Sequence, residues 1–335
     1  MLFESLTAAV VMTVSLAVLA PVEATGATTC TDVETPISAV PGGTIYGRYC
    51  RAAEPSGKPL QILVPGVTYT HAYFDLPGFG GRYSYTRFMN ARGYDTLAID
   101  RLGIGRSTRP LLGVAVNASS NAEALHDVVE SVRSNGLAGR HYGKIVLTGH
   151  SYGTFVSDLA SATYGGVDGI IGTGWFQQPT VLGVAGLVAT LWPAAVDPRF
   201  LGRVLDPTYV TTRPGTRGFF YSAANADPAV ISADEAIKDT ASLSETTYLL
   251  PANTGLTTRI GVPTLRVIGQ FDSIICNPVQ CTQQGLEQLV PTVFPGGADV
   301  YVQPGAGHDV ALELNNTAGF DASLAWLQSR FPEVS

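Results

Sequence analysis

Ser151 lies in Gly149-His150-Ser151-Tyr152-Gly153, a serine with glycine two positions away on either side. A serine hydroxyl is a poor nucleophile at neutral pH. It needs a base to take its proton and an acid to hold that base in the right tautomer. Five histidines are available: His71, His126, His141, His150 and His308. His126 falls on the polar face of a helical segment and His141 in a polar turn, where solvated side chains are expected. His150 is inside the pentapeptide, its ring directed away from the serine. His308 stands in Pro304-Gly305-Ala306-Gly307-His308-Asp309, a small-residue loop just past an apolar run. A histidine there can overhang the edge of a sheet. Asp272, in Gly269-Gln270-Phe271-Asp272-Ser273, also follows an apolar run. Asp100, Asp299 and Asp309 are the other candidate acids; Asp309 is too near His308 in sequence to orient it, and Asp100 precedes the serine on another strand. One aspartate after a strand is more often a cap or turn former, so the assignment rests on the three residues together. Their chemistry would be attack by Ser151 on a carbonyl carbon, with His308 as proton shuttle and Asp272 as its orienting acid. The oxyanion formed needs preorganised donors. Tyr152 N–H at the start of the following helix is one, and Val67 N–H in Pro65-Gly66-Val67-Thr68 is the other. Thr68, His71, Trp175 and Phe176 are the expected substrate contacts.

These residues need elements to hold them. Ile145 to Leu147 reads as a buried strand, and Phe155, Val156 and Leu159 recur at helical spacing after the glycine turn. The turn lifts the serine hydroxyl clear and aims the free N–H groups of a helix start at the reacting carbonyl. Further strands are expected over 42–49, 60–64, 94–100, 167–172, 264–268 and 299–302. Helices are expected over 83–92, 123–134 and 320–330. Strands alternating with helices at this rhythm imply a parallel sheet covered on both faces. From about 176 to 254 the rhythm breaks at Pro179, Pro193, Pro198, Pro207, Pro214 and Pro228. Short apolar helical pieces are expected between them, at 184–191 and 233–243. An insertion of this size is read as a lid.

The chain has 335 residues, 45% hydrophobic and 14% charged, enough for a sizeable core. A formal charge of −7 excludes the basic footprint that nucleic acid requires. Leu6 to Ala20 is apolar but short for a bilayer span, and the small residues after it suit a signal peptidase, so residues 1–26 are read as a signal peptide and 27–335 as the mature domain. No Lys or Arg precedes Arg48, which is unusual for such a leader. Four cysteines in an exported chain suggest disulfides, and local pairing, Cys30–Cys50 and Cys276–Cys281, is the simplest of three connectivities. Asn117 and Asn315 head glycosylation acceptor triplets. No metal, nucleotide or flavin motif is present. Gly103 and Gly105 follow a strand but lack the rest of a dinucleotide loop, and read as a turn.

The stretches ILVPGVT, YDTLAIDRLGIGRS, IVLTGHSYG, RVIGQFDSI and PGAGHDV resemble the α/β-hydrolase superfamily, lidded serine-hydrolase branch, from about residue 40 onward. Nucleophile, acid and base in the chain order Ser151, Asp272, His308 fit that fold. The resemblance implies an α/β fold, a mostly parallel doubly wound sheet with a helical lid insertion, in which Ser151, Asp272 and His308 are the triad and no cofactor or metal is used. It departs at Pro65, where family members usually carry histidine before the glycine. Serine at the turn counts against the branches that use aspartate there. The expected activity is secreted hydrolysis of a carboxylic ester or lactone of an uncharged, fairly hydrophobic small molecule, with no nucleic-acid partner and no stable membrane insertion of the mature chain. A lyase, cyclase or acyltransferase on the same fold is the alternative. A peptidase, with Asp227, Asp234 or Glu235 holding a substrate amine, and a catalytically silent binding protein rank below it.

Overall fold

The apolar runs form strands. The computed structural model describes residues 29–53, 57–177, 179–203, 206–249, 255–276 and 279–332, so the expected signal peptide lies outside them. Its first half contains β1 (Thr29–Pro36), β2 (Thr44–Arg51), β3 (Leu60–Val64), α1 (Tyr85–Asn90), β4 (Thr96–Ile99), α2 (Ala118–Asn135), β5 (Ile145–His150), α3 (Tyr152–Tyr164) and β6 (Gly169–Thr173). An insertion follows, with α4 (Val181–Thr190), β7 (Leu191–Pro193), β8 (Tyr209–Thr212), α5 (Pro228–Ile237) and β9 (Ala241–Ser242). The chain then adds β10 (Thr264–Gly269), α6 (Gln283–Val293), β11 (Asp299–Gln303) and α7 (Thr317–Arg330).

Eight strands make one sheet in the order β1-β2-β4-β3-β5-β6-β10-β11. From β4 to β11 all neighbours are parallel, and β1 and β2 add an antiparallel edge. Every residue of β3, β4, β5 and β10 is buried, as a parallel sheet covered on both faces demands. Each buried Ile, Leu or Val contributes about 1.5–3 kcal/mol relative to exposure. The strand ends are therefore a stiff platform.

Several elements differ from the sequence reading. β1 pairs with β2 over its whole length, with Cys30 opposite Cys50, but its side chains are exposed or half-buried and give no apolar signal. α6 carries Pro291 and was not anticipated. The insertion is not purely helical, because β7, β8 and β9 form a small antiparallel sheet. Its second helix stops at Ile237, where Lys238 turns inward to Asp197 Oδ2 (2.8 Å) and Thr212 O (2.7 Å). α2 begins earlier than expected because Asn117 caps it. The Asn117 side chain accepts from Ser120 N–H while Ser120 Oγ accepts from Asn117 N–H. Both cysteine pairs are disulfides, Cys30–Cys50 and Cys276–Cys281. Among the described residues no helix is long and apolar enough to cross a membrane.

Candidate active site

Parallel neighbours deliver their following loops to the same edge of a sheet. Val64 at the end of β3 is in register with Gly149 of β5, so the loop Pro65–Thr68 emerges beside Ser151. A Cβ on Gly66 would lie 3.1 Å from Ser151 Cβ. Gly269 at the end of β10 is in register with Gln303 of β11, which brings the loops of Asp272 and His308 together. Ligand and reaction sites of open α/β sheets lie at such carboxyl ends.

The turn at Ser151 is tight for a visible reason. Added Cβ atoms on Gly149 and Gly153 would meet the backbone of Thr154 at 2.5 Å and Val64 O at 2.0 Å. Ser151 itself has φ 53 and ψ −123, a strained backbone for a residue with a side chain. Its Oγ lies 2.9 Å from His308 Nε2, and His308 Nδ1 lies 2.9 Å from Asp272 Oδ2. Asp272 Oδ1 accepts from Ile274 N–H and Ile275 N–H, both at 2.9 Å, which fixes the carboxylate plane. All three side chains are buried. Burial depresses the His308 pKa, but the charge and hydrogen bond of Asp272 more than reverse this, and the net shift is upward. An imidazole stabilised as a cation is what a base that must hold a serine proton needs.

Val67 follows Gly66 in the loop facing Ser151, and among the described residues no acceptor takes its N–H. Tyr152 is the first residue of α3, at the positive end of the helix dipole. The four expected substrate contacts each have a structural partner. Thr68 Oγ1 accepts from Arg217 Nη1 at 2.7 Å. His71 is clasped by Asp100, its backbone N–H and its Nδ1 both 2.8 Å from Oδ1. Trp175 packs edge-on against Phe155, and Phe176 against Phe294. Asp227 caps α5, Asp234 pairs with Arg217 and Glu235 with Lys238, so each acid considered for a substrate amine is already engaged. Among the described residues no group of three or more His, Cys, Asp or Glu is arranged to hold a metal.

The model of the alpha/beta hydrolase family matches residues 61–319. The chain belongs to this family. No protein of curated function matches it in sequence. Solved structures share its fold. An aryl esterase described as putative, from Burkholderia cenocepacia, superposes with TM-score 0.61 at 16% identity, over 90% of this chain and 99% of its own. The esterase EaEST from Exiguobacterium antarcticum gives 0.59 at 15%, over 88% and 100%. The α/β hydrolase GrgF from Penicillium sp. sh18 gives 0.60 at 19%, over 90% and 99%.

Beside Ser151, Asp272 and His308 this α/β hydrolase carries a buried polar network that the sequence did not announce. His150 Nε2 is 3.0 Å from Asp309 Oδ1 and its Nδ1 is 3.1 Å from Thr173 Oγ1, and its ring centroid lies 5.1 Å from that of His308. Tyr73 stacks on that ring at 4.1 Å. Tyr69 OH donates to Asp309 and lies 3.4 Å from Asp234. Arg217 grips Asp234 through Nε (2.9 Å) and Nη2 (2.5 Å), and Tyr221 OH donates to the same carboxylate. Burial pushes the Asp309 carboxyl up to about 6, against the pull of His308 and Arg217. Asp309 thus orients His150, not His308. Asn315, one of the glycosylation candidates, donates to Pro304 O at 2.7 Å and accepts from Asn225 and Gln303, leaving its amide committed to the fold.

Proposed function

We propose that this α/β hydrolase is a secreted serine hydrolase. In this reading it cleaves a carboxylic ester or lactone of an uncharged, fairly hydrophobic small molecule through an acyl-enzyme on Ser151. The observation that carries the reading is the unbroken hydrogen-bonded line from Ser151 Oγ through His308 to Asp272, at 2.9 Å in each step. His308 takes the serine proton as Oγ attacks the carbonyl carbon. The oxyanion is received by Val67 N–H and Tyr152 N–H. The protonated His308 gives its proton to the leaving oxygen, and water then repeats the sequence on the acyl-enzyme. Esterase-like neighbours of the same fold support the reaction class. The insertion between β6 and β10 acts as the lid, and its apolar helix α4, whose ten residues carry no charge, suits an uncharged substrate. Two disulfides are in keeping with export.

The test is fluorophosphonate labelling of the purified protein read by intact mass, beside Ser151→Ala, with a p-nitrophenyl ester series of increasing chain length. One adduct, lost in the variant, together with ester turnover, is the expected result. Labelling with no turnover of any ester favours the lyase, cyclase or acyltransferase reading. No labelling overturns the assignment of Ser151.

A further inference from the structure

We propose that Arg101 and Arg217 are positioning residues for the oxyanion, two buried guanidinium groups that hold the Pro65–Thr68 loop and are themselves held by carboxylates of the insertion. The inference rests on the serine-hydrolase reading above. Arg101, which is 2% exposed, donates from Nε to Pro65 O at 2.8 Å and from Nη2 to Gly66 O at 3.0 Å. Its Nη1 donates to Glu245 of the insertion, and its guanidinium lies over the Tyr152 ring at 4.7 Å. Arg217, fully buried, holds Thr68 Oγ1 from the other end of the loop and is paired with Asp234. A third grip comes from Asp239 N–H, which donates to Thr68 O at 2.9 Å.

Gly66 C=O and Val67 N–H belong to one peptide unit. That unit is planar and trans, so its carbonyl and its N–H point in opposite directions. Fixing Gly66 O with Arg101 on one side therefore fixes the direction in which Val67 N–H points on the other. A hydrogen bond at the carbonyl also polarises the unit and strengthens its N–H as a donor. At the far end Thr68 is a β-branched residue at φ 63, a strained conformation that persists only where neighbours over-determine it. Arg217 and Asp239 supply that constraint. Each guanidinium offers several donors in a rigid plane, so it can satisfy a carboxylate and the loop at once, which lysine cannot do. Buried ion pairs of this kind are poor devices for stability alone, because desolvation offsets the attraction. A geometric role accounts for two of them converging on four residues.

The test uses the full mature chain and the variants Arg101→Lys, Thr68→Val and Thr68→Ser. Active sites are titrated to completion with fluorophosphonate, so that misfolded protein lowers the titre and not the rate per site. Turnover of p-nitrophenyl butyrate and inhibition by phenylboronic acid, whose tetrahedral adduct occupies the same donors, are then measured. Arg101→Lys is expected to lower kcat per titrated site roughly 10- to 100-fold with KM within about threefold, and to weaken the boronate by the same factor. Thr68→Val, which removes the acceptor for Arg217 at nearly constant shape, lowers kcat roughly three- to tenfold, and Thr68→Ser restores it. Rates per site within twofold of the parent for both Arg101→Lys and Thr68→Val overturn the inference and leave the hydrolase reading standing. A parent protein that neither labels nor turns over ester overturns that reading and this inference with it.

Discussion

Ser151, Asp272 and His308 are each held by the strand just before them. Ser151 directly follows His150, the last residue of β5, and Asp272 and His308 lie within a few residues of the ends of β10 and β11. The loop that faces them is held in another way. Pro65 to Thr68 is gripped by Arg101 and Arg217, 35 to 149 residues away in sequence, and those arginines answer to Glu245 and Asp234 in the insertion. Ser151, Asp272 and His308 thus follow strand ends. The insertion touches the loops of Asp272 and His308 from their flanks, at Phe219, Phe220 and, through Glu313, at Ser222. The Pro65–Thr68 loop, by contrast, is tied to the insertion through both arginines. Changes at Glu245 or Asp234 should therefore disturb the Pro65–Thr68 loop more than they disturb Ser151, Asp272 and His308.

The largest effect separating the two regions belongs to the proposed triad. Asp272→Asn keeps the shape and the bonds to Ile274 and Ile275, yet it allows the wrong histidine tautomer. It should lower kcat for a p-nitrophenyl ester by roughly 10⁴-fold with little change in the thermal midpoint. A loss of less than about tenfold in steady-state assays would mean that Asp272 is not the orienting acid.

Next in size is a stability effect with the opposite signature. Asp234 is wholly buried and takes hydrogen bonds from Arg217 and Tyr221. Asp234→Ala strands the Arg217 charge in the interior and should cost about 3–5 kcal/mol in urea unfolding. Arg330→Ala is the control, since it breaks the Asp299 pair, in which both side chains are nearly half exposed, and leaves Asp299 as the acceptor of Trp326 Nε1–H. It should cost less than about 1 kcal/mol. Equal costs would remove the case that the insertion is anchored by buried charge.

The same contrast explains what could be read in the sequence. β3, β5 and β10 are short, wholly buried and rich in Ile, Leu and Val, and Ser151, Asp272 and His308 each come within a few residues of the end of a strand. Local pattern sufficed there. The insertion has strands of only two to four residues, too short for a period to show. Arg101 is part of a recognisable stretch, but its role is set by partners 36 and 144 positions away. Asp234 entered only as a candidate for holding an amine, and Arg217 carried no local signal at all. His71 looked like a substrate contact because of its loop. The sequence did not show that its ring is also held by Asp100, which sits after a different strand. Pairings across such distances are written in the topology, and single residues do not reveal them.

The smallest effect tests the seam where insertion and catalytic loop meet. Glu313 Oε1 accepts from Ser222 N–H of the insertion at 2.8 Å and from Gly307 N–H, beside His308, at 2.7 Å. Its other oxygen has no hydrogen-bond partner among the described residues. Burial pushes this carboxyl up to about 7, with the two N–H groups pulling against it. A carboxyl whose folded pKa lies above its unfolded value contributes stability below the unfolded pKa and loses that contribution as pH rises through the folded one. The native state should therefore weaken between about pH 4.5 and pH 7 on account of this residue. Glu313→Gln keeps an acceptor for both N–H groups and removes the charge. In urea unfolding it should match the parent near pH 5 and exceed it near pH 8 by up to about 3 kcal/mol. A parent whose stability falls over this range equally in the variant would place the titration at Asp309, raised to about 6 by its own burial. The pH-sensitive contact would then lie between the catalytic strands and the His150–Tyr69 network, one layer deeper than the seam with the insertion.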